Sequence, residues 1–214
     1  IFKKYPNLRL RFSSFEMGTI STKLLKALKS LPNFCPFFHI SLQSASNDIL
    51  KLMNRHYTFE GYKKVIDDIL KFFPNAGIST DIIAGFPTET DENHNETLAN
   101  LKKINFSNIH VFPYSKREGT VASKYPQING TITKNRAKEI ANWANISRQK
   151  FINKNINSLT EVLIEETKKG YFTGFTKNYL RTYITPNKKI ETNKVYKVKI
   201  IAPYLDGVMG ELEE

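Results

Sequence analysis

Ser79-Thr80-Asp81-Ile82-Ile83-Ala84-Gly85-Phe86-Pro87-Thr88-Glu89-Thr90 is the stretch that decides how this chain folds. The apolar run Ile82, Ile83, Ala84 reads as a strand that carries a buried carboxylate, Asp81, and breaks at a Gly-Phe-Pro turn. Thr90 is a good helix N-cap, and Asp91 and Glu92 sit in the first turn, where the helix dipole favours anions. Strand, glycine loop and helix start follow one another, and repeated β/α folds place their chemistry just past the strand ends. A buried carboxylate must be hydrogen-bonded, so Asp81 orients either a ligand or a neighbouring loop. Gly85 either lets a ligand approach the backbone or serves only the turn.

The same pattern recurs on both sides. Leu8, Leu10 and Phe12 alternate with Arg9 and Arg11 and end at Ser13-Ser14; Leu24, Leu25, Leu28 and Leu31 then recur at helical spacing. A strand over 37–43 puts His39, Ser41 and Gln43 on one face, which suggests the lumen of a wide or incomplete barrel. The alternative is that His39 is a core histidine and that Gln43 and Ser44 only satisfy their loop. Ser46 and Thr58 read as caps of a short and a longer helix, a strand covers 77–84, and a helix passes through Leu98, Leu101 and Ile104. A fourth strand spans 108–112, so four strand–helix steps predict a parallel sheet wrapped by helices. A helix over about 133–156 closes this unit. Beyond Asn157 the grammar changes to short runs at 160–165, 171–175, 180–185, 195–201 and 208–213, broken by Gly, Asn, Pro and Asp. These predict a small all-β, OB-like barrel, giving units 1–157 and 158–214.

Composition narrows the function classes. One cysteine, Cys35, excludes an internal disulfide, fits a reducing cytoplasm, and leaves no cysteine cluster for zinc or iron–sulfur, so no metal site is expected. No apolar run approaches the ~20 residues of a membrane span, and no signal-peptide core stands at the start. The net charge of +12 is uneven: 7 Lys/Arg face 1 acid over residues 1–34, and 11 face 2 over 102–157. Two basic blocks around an acidic middle fit either a polyanion such as RNA or a lysine-rich solvated surface.

Four motifs occur in order: His39-Ile40-Ser41-Leu42-Gln43-Ser44-Ala45-Ser46, Met53-Asn54-Arg55-His56-Tyr57-Thr58, Thr80 to Thr90, and His110-Val111-Phe112-Pro113-Tyr114-Ser115-Lys116-Arg117-Glu118-Gly119-Thr120. Together they resemble the radical S-adenosylmethionine (SAM) methylthiotransferases that modify tRNA. The His-Val-Phe-Pro-Tyr-Ser wording most resembles the threonylcarbamoyladenosine branch, and the tail with Asp206-Gly207 and Gly210-Glu211-Leu212 resembles that family's TRAM domain. Ser41 and Ala45 stand where the family usually has Pro and Gly. The family's three-cysteine loop and its N-terminal domain have no counterpart here, so the resemblance implies the later half of a radical SAM partial (β/α) barrel followed by a TRAM-like barrel, beginning inside the core.

The resemblance also implies a reaction. In the family, SAM on one of two [4Fe–4S] clusters is cleaved, the resulting radical abstracts hydrogen from C2 of a modified adenosine beside the anticodon, and a methylthio group is installed there. It implies no catalytic residue in this chain, which would be inactive by itself, and a SAM pocket wall made of Ser13, Ser14, Gln43, Ser44, Asp81, Gly85, Phe112 and Tyr114. The expected partners are SAM, a tRNA anticodon loop and the N-terminal half of the same protein. Lys116 and Arg117 in the loop after the fourth strand, with Lys168, Lys169, Lys177 and Arg181 interleaved with aromatics in the barrel, are the expected RNA contacts. Two alternatives stand beside this reading: a ribosomal-protein methylthiotransferase, and a non-catalytic RNA-binding module that lacks the cluster.

Overall fold

The computed structural model describes residues 4–5, 8–186 and 189–213; the outermost residues of the two expected units, 1–3 and 214, lie outside it. Its first part is a parallel sheet of three strands, β1 (Phe37–His39), β2 (Gly77–Ala84) and β3 (Asn108–Pro113), in the order β1-β2-β3. Helices α1 (Thr22–Lys29), α2 (Asn47–Leu52), α3 (Phe59–Phe72) and α4 (Asp91–Leu101) connect and cover it. The second part is a closed barrel of β4 (Leu159–Lys168), β5 (Tyr171–Thr176), β6 (Arg181–Ile184), β7 (Val195–Tyr204) and β8 (Gly207–Leu212). Between the two runs α5 (Gly130–Asn155).

Among the described residues the sheet has three ladder strands, where the sequence pattern predicts four. Residues 10–15 run parallel to the chain before and through β1 but, among the described residues, form β-bridges with it only at Leu10 with Phe34 and Phe15 with Ile40. The arginines of this segment are drawn to the barrel instead: Arg9 Nη1 donates to Phe175 O at 2.8 Å, and Arg11 lies 4.1 Å over the Tyr179 ring. β1 is also shorter than the expected 37–43 run. After His39 the ladder is interrupted because Thr80 Oγ1 inserts, donating to Ile40 O and accepting from Leu42 N. A single bridge, Gln43 with Ile82, then restores the parallel course.

The helix starts follow their caps. Thr58 Oγ1 accepts from Gly61 N, and Thr90 forms a reciprocal box with Asn93, so α3 and α4 begin where the sequence signals them. Ser46 precedes α2 but makes no cap bond; its hydroxyl donates to Glu96 at 2.6 Å. The apolar faces bury one core containing Phe38, Ile40, Tyr62, Ile66, Ile69, Ile78 and Ile82, each such Ile stabilising the fold by about 1.5–3 kcal/mol. A second core, with Val162, Ile164, Ile184, Val198, Ile200 and Val208, fills the barrel. Phe151 and Ile152 of α5 belong to that second core, while Ile140 and Ala144 of the same helix belong to the first.

In the barrel, Gly174 is required by close approach: a Cβ there would overlap the Leu163 carbonyl on β4. Lys169 (φ 51) and Gly170 (φ 79) turn the β4–β5 hairpin with two left-handed residues, the geometry that matches strand twist.

Candidate functional site

The loop that leaves β1 is pinned from several sides. Tyr62, buried in the core, donates its hydroxyl to Ile40 O at 2.9 Å, and Tyr57 donates to both Ser41 O and Leu42 O at 3.1 Å. Asn100 Nδ2 donates to Ala45 O at 2.8 Å. Held this way, Gln43 adopts φ 69, a left-handed conformation that costs a non-glycine residue about 1–3 kcal/mol and persists only where the surroundings impose it. Its backbone still pairs with β2, donating to Asp81 O and accepting from Ile83 N, both at 2.9 Å. The side chain is thereby aimed past the strand ends.

There it meets a cavity of about 480 Å³ lined by Gln43, Asp81, Ile83, Phe112, Tyr114 and Arg117, among others. Its size suits a drug-sized polar ligand. Phe112 leaves half of its surface exposed, while Tyr114 packs edge-on against Phe86 with ring centroids 5.5 Å apart. The Tyr114 hydroxyl is buried and has no protein partner among the described residues, a donor awaiting an acceptor. A second depression, of about 920 Å³, adjoins through Ile83 and Ala122 and carries Lys51 and Arg55 on its far side.

Four expected pocket residues thus converge, and four do not. Ser13 and Ser14 are exposed on the bridged edge segment, and neither lines the cavity. Ser44 is buried, its Oγ accepting from Ser46 N at 3.2 Å inside the loop. Gly85 (φ 70) backs onto α5: a Cβ there would lie 2.5 Å from Thr133 Oγ1, so its lack of a side chain admits a helix. Its N–H is 3.3 Å from Glu89 Oε1. Glu89 in turn is held by Arg136, whose Nη1 donates to Glu89 O and Oε1 at 2.8 and 2.9 Å and whose Nη2 donates to Asp91 at 2.7 Å. Burial pushes the Glu89 carboxyl above its ordinary range even beside this guanidinium.

On one face of the sheet, Asp81 Oδ2 is 3.2 Å from His39 Nε2 and accepts from Ser41 Oγ at 3.1 Å. His110 is the register partner of Asp81 on β3. The period of two already places His39 and Ser41 on this face; His110 joins them only through the β2–β3 register, which no local pattern reveals. Tyr57 lies inside the second motif, and no local sequence signal marks its hydroxyl as the anchor of the loop after β1.

The expected RNA-contacting cations separate into two groups. Lys116 and Arg117 are exposed in the loop after β3, and Lys168 and Lys169 are exposed at the β4–β5 hairpin. Lys177 pairs with Glu161 at 2.9 Å; Arg181 lies 3.3 Å from Asp206 and 4.7 Å over the Phe175 ring.

The first part of this chain is a parallel β/α sheet with a polar cavity beside it, and residues 3–101 match the family model of the radical SAM superfamily. Over most of its length the chain is similar to tRNA methylthiotransferases. It is 40% identical over 173 residues to the threonylcarbamoyladenosine tRNA methylthiotransferase MtaB of Aquifex aeolicus, covering 80% of this chain and 41% of that protein. With the MtaB of Thermotoga maritima it shares 32% identity over 219 residues, 98% of this chain and 48% of the other. The tRNA-2-methylthio-N(6)-dimethylallyladenosine synthase of Christiangramia forsetii is 37% identical over 166 residues, covering 77% and 34%. The chain therefore spans less than half the length of these relatives.

The donor set does not fit the [4Fe–4S] clusters that this superfamily implies. Such a cluster needs several thiolates, and the sequence holds one cysteine. Cys35 is buried, burial pushes its thiol up, and it lies beside Arg9 at the edge of the sheet, away from the cavity.

Proposed function

We propose that this chain forms the wall of a tRNA methylthiotransferase that carries no cluster ligands, units 1–157 and 158–214 being the later part of a radical SAM partial barrel and a TRAM-like RNA-binding barrel. The observation that carries the reading is the cavity where three of the four motifs meet. Gln43, Asp81, Phe112 and Tyr114 offer an amide, a carboxylate, an open aromatic face and an unpartnered hydroxyl, a set suited to the amino, ribose and adenine groups of SAM. When bound, SAM would supply the radical that takes the C2 hydrogen of a modified adenosine beside the anticodon and, from a second molecule, the methyl group, the sulfur coming from the second cluster. This chain's residues bind, orient and exclude water, and the cluster ligands come from a cysteine-bearing N-terminal half of the same protein. Arg117 at the cavity rim, with Lys116, Lys168 and Lys169, would meet the phosphates of the anticodon loop.

The test is titration of the isotope-labelled chain with SAM, followed by amide shifts. Shifts confined to the loops at Gln43 and at 112–117, weakened up to about tenfold in affinity by Gln43→Ala, support the reading. Shifts elsewhere, or none at millimolar SAM, reject it. The lone buried thiol favours one second reading, a non-catalytic RNA-binding protein; it predicts anticodon stem-loop binding with no SAM response.

A further inference from the structure

We propose that His39, Asp81 and His110 bind one divalent first-row transition-metal ion on one face of the sheet. The three residues stand on the three adjacent parallel strands, and one donor atom from each lies within 4.8 Å of the others. Two donors at about 2.0–2.1 Å from a common ion stand about 3.0–3.4 Å apart, and His39 Nε2 to Asp81 Oδ2 is already 3.2 Å. His110 is exposed and unpacked on its solvent side, so its ring closes the remaining gap by side-chain rotation.

The surroundings suit a ligand role. His39 Nδ1 sits 2.7 Å from Ser79 Oγ, which is buried. That hydroxyl either donates to Nδ1 or accepts from Nδ1–H, so His39 shifts its proton to Nδ1 and frees the Nε2 lone pair without moving any neighbour. Outer-shell bonds of this kind orient metal-binding histidines. Ser41 steadies the carboxylate, and the Asn108 amide lies 3.0 Å from His110 Nε2, able to present either its oxygen or its nitrogen. Two imidazoles and one carboxylate favour zinc, cobalt or ferrous iron over calcium and magnesium, which prefer all-oxygen shells. Asp81 and His39 are only partly covered, which leaves room for further ligands such as water.

The inference does not rest on SAM binding. The untagged chain, stripped with chelator, is titrated with Co²⁺ by absorbance and with Zn²⁺ by calorimetry. The expected result is one ion per chain with a ligand-field spectrum of low-symmetry N/O coordination. His110→Gln, an exposed change that leaves the core alone, should abolish it, Asp81→Asn should weaken it strongly, and Ser79→Ala should cost about tenfold in affinity through loss of the outer-shell bond. His56→Ala, at an exposed histidine off this face, should change nothing. Absence of stoichiometric binding, or binding that survives His110→Gln or falls equally in His56→Ala, overturns the proposal.

Discussion

In the barrel, Arg181 is held by Asp206, Lys177 by Glu161, and every strand has two partners in a closed ring. At the cavity beside the sheet, by contrast, Gln43 is held in a left-handed conformation, Tyr114 keeps an unpartnered hydroxyl, and Phe112 stands open. Both regions bury aliphatic cores, so the difference lies in what is done with polar groups. The barrel satisfies them internally and presents charge at the β4–β5 hairpin. Left-handed residues also turn the barrel's loops, at Lys169, Tyr179 and Leu205, but at the cavity one of them, Gln43, stands with the unpartnered Tyr114 hydroxyl and the open Phe112 ring, a combination suited to receiving a ligand.

The largest expected effect tests what fastens the loop beside the cavity. Arg136→Met removes the partner of a buried carboxylate and should destabilise the fold by about 3–5 kcal/mol in chemical denaturation; a loss under about 1 kcal/mol would make the Glu89 pair incidental. The barrel has its own weak point in Gly174→Ala, which drives a methyl into the β4 backbone and should cost about 1–3 kcal/mol. If the sheet core stays folded in that variant while the barrel strands lose exchange protection, the two cores are separable.

Acid sharpens the contrast. The Glu89 carboxyl is raised by burial in the folded state, so the folded chain holds this proton more tightly than the unfolded one. Its contribution to stability is therefore fully present below the unfolded carboxylate range and is lost as pH rises through the folded value. Relative to Glu89→Gln, the melting temperature of the wild-type chain should rise on acidification; a constant difference from acid to neutral pH would contradict the burial argument.

Charge partition yields a smaller effect. Replacing Lys168 and Lys169 by Ala should flatten the slope of log affinity against log salt for an anticodon stem-loop by roughly 0.7–0.9 for each phosphate no longer neutralised, whereas Lys177→Ala should leave it unchanged because Glu161 already neutralises that amine. Equal effects would erase the distinction between paired and presented cations. Smallest of all, Gln43→Gly should stabilise the chain by a few tenths to about 1 kcal/mol by releasing the left-handed strain, offset by the greater freedom of glycine in the unfolded state. The same change should weaken SAM binding, and stabilisation without weaker binding would separate the strain from the site.

Much of this is legible in the residues. Alternation and turn residues locate the barrel strands, and Thr58 and Thr90 mark helix starts, because these signals are local. Gln43, Phe112 and Tyr114 stand out by their positions near strand ends, and Asp81 as a carboxylate inside an apolar strand. What escapes depends on register and side-chain geometry across long separations. Thr80 interrupts the β1 ladder only because β2 lies beside it, and Gly85 faces Thr133 from 48 residues away. The expectation of no metal site rests on missing cysteines and cannot see His39, Asp81 and His110 meeting through strand pairing. Ser13, Ser14 and Ser44 lie outside the cavity lining, because where a serine near a strand end points depends on how the neighbouring strands and loops pack.

The 26 residues of α5 extend about 39 Å. At one end Thr133 and Arg136 brace the loop beside the cavity, at the middle Ser147 clasps both backbone groups of Phe106, and at the other end Phe151 and Ile152 are embedded in the barrel. Such a rod is a lever. Any displacement of the barrel relative to the sheet must bend α5 or be passed along it to Gly85 and Glu89, which stand behind the cavity and outside its lining.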